Sequence, residues 1–358
     1  MQNMNIVCNA RTLSTQLTGV QRYTNEVLRR LPNSVLAIRP PKRFSGVSGH
    51  LWEQSILPAR LHGALLWSPA STGPIAHSNQ VVTVHDIGPL DCSENYSRTF
   101  SQWYRFLWRR LLPRVRAIIT VSHFTKSRLI ERYRLSPKTI YVTHLGVDHS
   151  RFFSQPPDKV AELRRRLALP ETFVLFVGAV SGRKNIPRLL DAWRRAMFDN
   201  VHLVIAGGRG ASHVLAGVDL PVLPRNTRVL GVVPDADLPT LITAAGAFVY
   251  PSLYEGFGLP ALEAMACGTP CLVSNVTALP EVTADAALQV DPTDVGALTE
   301  SLVKIVADAN LRNTLRMKGL QRAASFTWDR TATKTFSILS HYADWKPTSP
   351  PPISSMEN

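Results

Sequence analysis

The stretch YPSLYEGFGLPALEAMACGTP, residues 250–270, holds the residue types best suited to chemistry. Gly256 and Gly258 flank Phe257, and Pro260 stands where a helix over ALEAMA would begin. A glycine-rich turn opening into a helix presents backbone N–H groups and the positive end of a helix dipole, which suits phosphate. Glu255 and Glu263 bracket that turn. Carboxylates accept hydrogen bonds from paired hydroxyls, and sugars and ribose both offer these. A lone G-x-G would fit a plain helix N-terminus with one capping and one solvated glutamate; the full string favours a binding site.

Other polar residues stand just after apolar runs. His85 and Asp86 follow VVTV, Ser122 follows AIITV, and Gly178 follows FVLFV. Gly207 and Gly208 follow VHLVIA, and Pro251 and Ser252 follow AFVY. In open α/β sheets, ligands bind beyond the carboxyl ends of strands. These residues therefore form two candidate sets, one in each half of the chain.

The elements that must position them are legible as short runs rich in Val, Ile and Leu. Strands are expected at 5–9, 81–84, 117–121 and 140–142, then at 173–177, 202–206, 228–230, 247–250, 271–273 and 287–290. Helical patterns at 186–197, 259–266 and 295–307 separate several of them. Such alternation predicts parallel sheets with crossover helices. SQPPD at 154–158 cannot continue a regular element. The expected architecture is two Rossmann-like α/β domains facing across a cleft, an acceptor-binding domain over 1–158 and a donor-binding domain over 159–328. A helix near 329–346 is expected to pack back on the first domain, and 347–358 to be a disordered tail.

Composition sets the remaining bounds. At 358 residues, 45% hydrophobic and 18% charged, the chain suits two globular domains. The longest apolar runs, 173–180 and 201–206, fall far short of the roughly 20 residues that span a bilayer. MQNMNIVCNAR does not read as a signal peptide, so a cytoplasmic location is expected. Cys267 and Cys271 have no histidine nearby, and the four cysteines read as reduced thiols rather than metal ligands.

The net charge is +14, and it is unevenly placed. Residues 1–160 hold 21 Lys and Arg against 8 Asp and Glu, whereas 161–358 hold 19 against 18. A basic first half predicts an anionic partner: a membrane surface, a phosphorylated acceptor or nucleic acid. In RTFSQWYRFLWRRLL, Arg98, Arg105 and Arg109 share one helical face, with Phe100, Trp103, Leu107 and Leu111 roughly opposite. That wheel suits either a helix resting on anionic lipid or a helix packed on a sheet with a solvated basic face.

Rival functions lack their motifs. NARTLSTQLTGVQRY supplies no G-x-G-x-x-G after the first strand, against a dinucleotide-dependent dehydrogenase. The chain carries no recognisable RNA- or DNA-binding motif, so a non-catalytic nucleic-acid-binding protein is a remote alternative, as is a membrane-binding one. Asp235 and Asp237 imitate a metal-binding D-x-D, but within VPDADLPTL Asp235 is placed to cap the following helix. No metal and no resident cofactor is expected.

PSLYEGFGLPALEAMACGTP resembles the signature of glycosyltransferase family 4, GT-B enzymes with two glutamates separated by seven residues. The resemblance continues through FVGAVSGRKNIPRLLDAW, VVPDADLPTLITAA and SNVTALPEV. In the first half it includes LTGVQRYTNEVL, VHDIGPLD, VSHFTKSRL and LGVD, in family order across nearly the whole chain. By resemblance, Lys184 and Arg183 in GRKN bind the donor diphosphate, where fixed cations oppose the charge that grows on the departing group. Many members place an arginine directly after the strand-end glycine, where this sequence has Ala179. Glu263 corresponds to the ribose ligand and Glu255 to the residue that holds donor-sugar hydroxyls. Gly256, Phe257, Gly258 and Leu259 would offer backbone N–H groups to sugar and β-phosphate. His85 corresponds to a histidine that approaches the transferred sugar, and Gly19 to the loop after the first strand.

The resemblance implies a metal-independent transfer with retention of anomeric configuration. The front-face route, assisted by the leaving phosphate, is the usual family proposal. TGVQRYTNEVL and GRKNIPRLLDAW look most like the blocks of bacterial mannosyl- and rhamnosyltransferases of surface polysaccharide (O-antigen, lipopolysaccharide) assembly. The implied donor is GDP-mannose or a GDP-deoxymannose, with a UDP-sugar as the alternative. The implied acceptor is a growing polysaccharide or lipid-linked glycan, reached from the cytoplasmic face of the inner membrane by peripheral contact.

Overall fold

The computed structural model describes residues 6–14, 19–41, 44, 46–208 and 222–343; the tail 347–358 lies outside them. Along the first half of the chain the strands are β1 (Ile6–Asn9), β2 (Val35–Ile38), β3 (Leu65–Ser68), β4 (Gln80–Val84), β5 (Ala117–Thr120) and β6 (Ile140–Val142). Helices α1 (Gly19–Leu28), α2 (Val47–Ser55), α3 (Gly88–Asp91), α4 (Arg98–Leu111) and α5 (His123–Tyr133) lie between them. The inner strands are mostly apolar and buried at every position, as strands covered on both faces must be.

All pairings in this sheet are parallel, in the order β2-β1-β3-β4-β5-β6. The chain steps from β1 outward to β2, then returns past β1 to β3. The strand order therefore switches between β1 and β3.

The second half repeats the scheme. After α6 (Pro157–Arg166) come β7 (Phe173–Val177), β8 (His202–Ala206), β9 (Thr227–Gly231), β10 (Ala247–Tyr250), β11 (Cys271–Ser274) and β12 (Ala287–Val290). The helices are α7 (Ile186–Ala196), α8 (Leu238–Ala244), α9 (Leu259–Ala266), α10 (Leu279–Thr283), α11 (Val295–Ala307) and α12 (Ala309–Ala324). Last comes α13 (Trp328–Ala343). The order β12-β11-β10-β7-β8-β9, all parallel, is doubly wound with its switch between β7 and β10.

The chain forms two compact units. Unit 1 comprises Met1–Ile87, Trp103–Gly146 and Trp328–Asn358; unit 2 comprises Gly88–Gln102 and Val147–Thr327. The stretch 154–158 lies in unit 2, and Pro157 opens α6 there. In unit 1, α13 packs on α1 and β3. Arg30 holds Asp329 at 2.7 Å, and the Tyr141 and Tyr342 hydroxyls meet at 3.0 Å.

Ten of the twelve strands among the described residues fall on expected runs; β2 and β3 do not. β2 is an edge strand with two of its four residues exposed, so it carries no continuous apolar signal. β3, LLWS, is fully buried but only four residues long, and periodicity cannot type so short a run. The expected cap on α8 is also corrected. Its N-cap is Asp237, with no side-chain cap bond, while Asp235 pairs with Arg151 at 2.6 Å and Asp237 with Arg166 at 2.6 Å. Nearby guanidiniums take the carboxylates that could have capped the helix.

On α4, Leu107, Trp108 and Leu111 are buried while Arg98, Arg105 and Arg109 are exposed. Trp108 Nε1 donates to the Ser71 carbonyl at 2.7 Å. Part of the apolar side of the wheel is thus used in packing, while Phe106 stays exposed among the basic residues. All four cysteines are buried thiols. No helix among the described residues is long and apolar enough to cross a membrane.

Candidate active site

The unit 2 site grows from the β7/β10 switch point. After β7 a short 3₁₀ turn, Gly182–Lys184, carries Arg183 and Lys184, and after β10 the chain runs through Ser252 to Glu255. Lys184 Nζ donates to Glu255 Oε1 at 2.6 Å and also to the Tyr250 hydroxyl. Arg183 Nη1 reaches the same oxygen at 3.2 Å and the Tyr254 carbonyl at 3.2 Å. Leu253 N–H donates to Arg183 O at 2.7 Å, which ties the two loops together. Glu255 N–H donates to Thr277 Oγ1 at 3.2 Å.

Burial alone would push the Glu255 carboxyl up. The charges of Lys184 and Arg183, with the Lys184 hydrogen bond, outweigh it and hold the carboxyl at about 2. Burial, then the Glu255 charge, raises the Tyr250 phenol well above its usual value. Tyr250 therefore stays neutral and serves Lys184 as an acceptor. The result is one carboxylate shared by two cations at a sheet edge, a compact set of fixed charges with net positive sign.

Two glycines make the backbone approach possible. Gly207, after β8, has φ +146°, and a Cβ there would lie 1.9 Å from the Gly178 carbonyl oxygen. Gly258, the N-cap of α9, has φ +104°, and a Cβ there would meet Leu279 Cδ2 at 2.5 Å. Only glycine fits either place. Gly256, Phe257, Gly258 and Leu259 thus run from Glu255 directly into α9, whose Glu263 is buried on the second turn. Phe257 is buried against Phe326, with ring centroids 5.9 Å apart.

The remaining expected residues form a second set in unit 1. His85 and Asp86 follow β4. His85 Nε2 lies 2.8 Å from the Pro69 carbonyl, and its ring meets the Tyr23 ring edge-on at 4.8 Å. A carbonyl only accepts, so Nε2 carries the proton. Burial lowers the imidazole pKa, against the Pro69 carbonyl and the Asp86 charge, so the ring is neutral with Nδ1 as an acceptor. Ser122 is the buried N-cap of α5 and accepts from Thr125 N–H at 3.1 Å; Thr125 Oγ1 in turn donates to the His85 carbonyl at 3.3 Å. Gly19 is the first residue of α1, the helix that carries Tyr23.

Sequence reasoning missed Tyr250, Tyr254, Thr277 and Tyr23. Tyr250 was open to the strand-end rule, since it is the last residue of β10. Tyr254 lies inside the signature string; its hydroxyl donates to Asp91 Oδ2 at 3.2 Å within unit 2. Nothing local marks Thr277 or Tyr23, which act across long sequence separations.

Known proteins resemble the chain over nearly its whole length. The family model described as Glycosyl transferases group 1 matches residues 160–322, and that described as Glycosyltransferase Family 4 matches residues 50–151. O-antigen chain mannosyltransferase B of Escherichia coli is 30% identical over 380 residues, covering 93% of this chain and 99% of its own length. O-antigen chain mannosyltransferase RfbU of Salmonella typhimurium is 33% identical over 219 residues, covering 60% of this chain and 58% of its own. Among solved structures, Anabaena HepE in complex with UDP and glucose has a TM-score of 0.74 at 16% identity, covering 94% of this chain and 99% of its own. Sucrose-phosphate synthase from Thermosynechococcus elongatus has a TM-score of 0.71 at 20% identity, covering 94% and 98%.

The fold is thus the GT-B fold of two Rossmann-like domains, and the protein is a glycosyltransferase enzyme. The chain belongs to glycosyltransferase family 4.

Proposed function

We propose that this enzyme transfers mannose, or a deoxymannose such as rhamnose, from a GDP-sugar to a growing surface polysaccharide or lipid-linked glycan. The observation that carries the reading is the Lys184–Glu255–Arg183 cluster at the β7/β10 switch point. Its support is the similarity to O-antigen mannosyltransferases over nearly the whole chain.

In this account Lys184 and Arg183 face the diphosphate, where charge grows as the glycosidic C–O bond breaks. Glu255 fixes both cations and accepts from a donor-sugar hydroxyl. Glu263 takes the ribose hydroxyls, and the Gly256–Leu259 backbone offers N–H groups to the sugar and β-phosphate. Gly178 and Ser252 line the same edge. The family role of His85, contact with the transferred sugar, needs an acceptor atom, and Nδ1 supplies one. Gly19, Asp86 and Ser122 belong to the unit 1 part of the reaction. Two bound cations do the work that a metal does elsewhere, so transfer needs no metal ion. By family resemblance the transfer retains the anomeric configuration, through the front-face route assisted by the leaving phosphate.

The reaction takes place at the cytoplasmic face of the inner membrane. With Leu107, Trp108 and Leu111 of α4 spent on packing, the attraction to anionic lipid is mainly electrostatic, through the exposed Arg98, Arg105 and Arg109. Sedimentation with anionic liposomes should fall steeply with salt; equal sedimentation with neutral liposomes would contradict it.

The direct test is incubation with GDP-mannose, GDP-rhamnose and UDP-glucose plus a mannose-terminated oligosaccharide, with product masses read by mass spectrometry. Addition of one sugar from a GDP donor is expected. Turnover of UDP-glucose alone would replace the GDP reading by the UDP alternative.

A further inference from the structure

Between β11 and α10 the chain takes a backbone that threonine rarely adopts. Thr277 has φ +62°. Of the non-glycine residues with positive φ among those described, it alone is β-branched, and a branch at Cβ makes this conformation an outlier. Glycine would take the same backbone without strain. Such strain persists only where surrounding contacts over-determine it, and it gathers at functional sites. The contacts here are with the turn that opens α9.

Thr277, Ala278 and Leu279 brace that turn in succession. Thr277 Oγ1 donates its proton to the Val276 carbonyl at 2.7 Å, so towards Glu255 it only accepts, and it takes the Glu255 N–H at 3.2 Å. Ala278 N–H donates to the Glu255 carbonyl at 3.4 Å. Leu279 lies over Gly258, where a Cβ would meet its Cδ2 at 2.5 Å. Both backbone polar groups of Glu255 are thus held from 277 and 278, while its Oε1 is held by Lys184 and Arg183. Packing of Leu279 on Gly258 needs no hydroxyl at 277. Glycine there would supply the backbone alone; the strained threonine adds the acceptor that the buried Glu255 N–H uses.

We infer that Thr277 is a positioning residue for recognition of the donor sugar: its hydroxyl places the Glu255 main chain, and through it the carboxylate that meets the sugar. This rests on the glycosyl-transfer reading above, in which Glu255 accepts from a donor-sugar hydroxyl. Lys184 and Arg183 have further partners of their own, the Tyr250 hydroxyl and the Tyr254 carbonyl. Loss of the Thr277 hydroxyl therefore leaves the cations that face the diphosphate in place. Thr277 governs the sugar's part of donor binding and spares the diphosphate's part.

The test is calorimetric titration of GDP and GDP-mannose, and of UDP and UDP-glucose, into wild type, Thr277→Ser and Thr277→Val. Thr277→Val keeps the branch and loses the hydroxyl. It should weaken the nucleotide sugar at least about tenfold, the usual cost of losing a hydrogen bond to a charged group, while the free diphosphate changes less than about threefold. Thr277→Ser, which keeps the hydroxyl, should bind both as wild type does. In a Glu255→Gln background Thr277→Val should add little further loss, because it acts through Glu255. Should Thr277→Val fail to fold, Thr277→Gly, which lacks the hydroxyl but relaxes the backbone, carries the same expectation. Equal weakening of nucleotide sugar and diphosphate, weakening of neither, a full second loss in the Glu255→Gln background, or no binding of a nucleotide sugar to wild type would overturn the assignment. The expected pattern with UDP and UDP-glucose in place of the GDP pair would sustain it and sink the GDP donor reading instead.

Discussion

Lys184 Nζ lies 2.6 Å from Glu255 Oε1, and both side chains are more than nine-tenths buried. Each residue follows a different strand of the β7/β10 switch point. Removing one partner of such a pair leaves an uncompensated buried charge, at a cost of about 3–5 kcal/mol. The pair is therefore expensive to disturb, and its position is where a doubly wound sheet binds ligands.

The depressed Glu255 carboxyl makes stability depend on pH in a defined direction. Its pKa falls from the ordinary 4.5 to about 2 on folding. The stabilisation is fully present above about 4.5 and is lost as pH drops toward 2, of the order of 3 kcal/mol by linkage. Thermal unfolding of wild type and Glu255→Gln should differ most at neutral pH, with the gap closing through the acid range. A gap of equal size at pH 7 and in strong acid would contradict the ion-pair assignment.

Lys184→Ala should lower turnover about 100–1,000-fold, as loss of one transition-state donor does elsewhere. Arg183→Ala should cost less, since Arg183 is more exposed and meets Glu255 at 3.2 Å. Initial rates with the protein's far-ultraviolet spectrum unchanged give the comparison. Equal rates for wild type and Lys184→Ala would remove the lysine from the mechanism.

Gly207→Ala should destabilise the protein by at least about 2 kcal/mol, since the new methyl must displace the Gly178 carbonyl and the backbone is strained for an L residue. Gly63→Ala is the control. Its φ is +83° but a Cβ there meets nothing within 4 Å, so only the dihedral cost of about 1 kcal/mol remains. Urea unfolding of the two variants separates the clash from the dihedral.

Transfer should proceed undiminished in excess chelator, and proton NMR of the product should show the anomeric configuration of the donor. Loss of activity on chelation, restored by magnesium, would overturn the metal-free account. An inverted product would overturn the front-face route.

Much of this was legible in the sequence, for a physical reason. Strands such as FVLFV are buried on both faces, so they appear as continuous apolar runs, and Gly258 in EGFGLP marks a turn only glycine can make. What stayed hidden depends on distance along the chain. Arg183 and Lys184 meet Glu255 across some seventy positions, and no local pattern states that the carboxylate is shared by both cations. Thr277 reads as an ordinary loop residue in SNVTALPEV; only the fold brings it to the Glu255 main chain. β2 failed because an edge strand need not be apolar, and the α8 cap because Arg151 competes for Asp235.

A GDP-sugar site built on Lys184 and Glu255 is open to one decisive measurement, thermal stability as a function of nucleotide. GDP, UDP, ADP and dTDP would be compared without metal, on wild type and Lys184→Ala. At about 100 times its dissociation constant a ligand adds about 2.7 kcal/mol, which unfolding readily resolves. GDP should stabilise wild type more than the other three do, and Lys184→Ala should lose that shift. Stabilisation by UDP alone, or by GDP equally in both proteins, would contradict it.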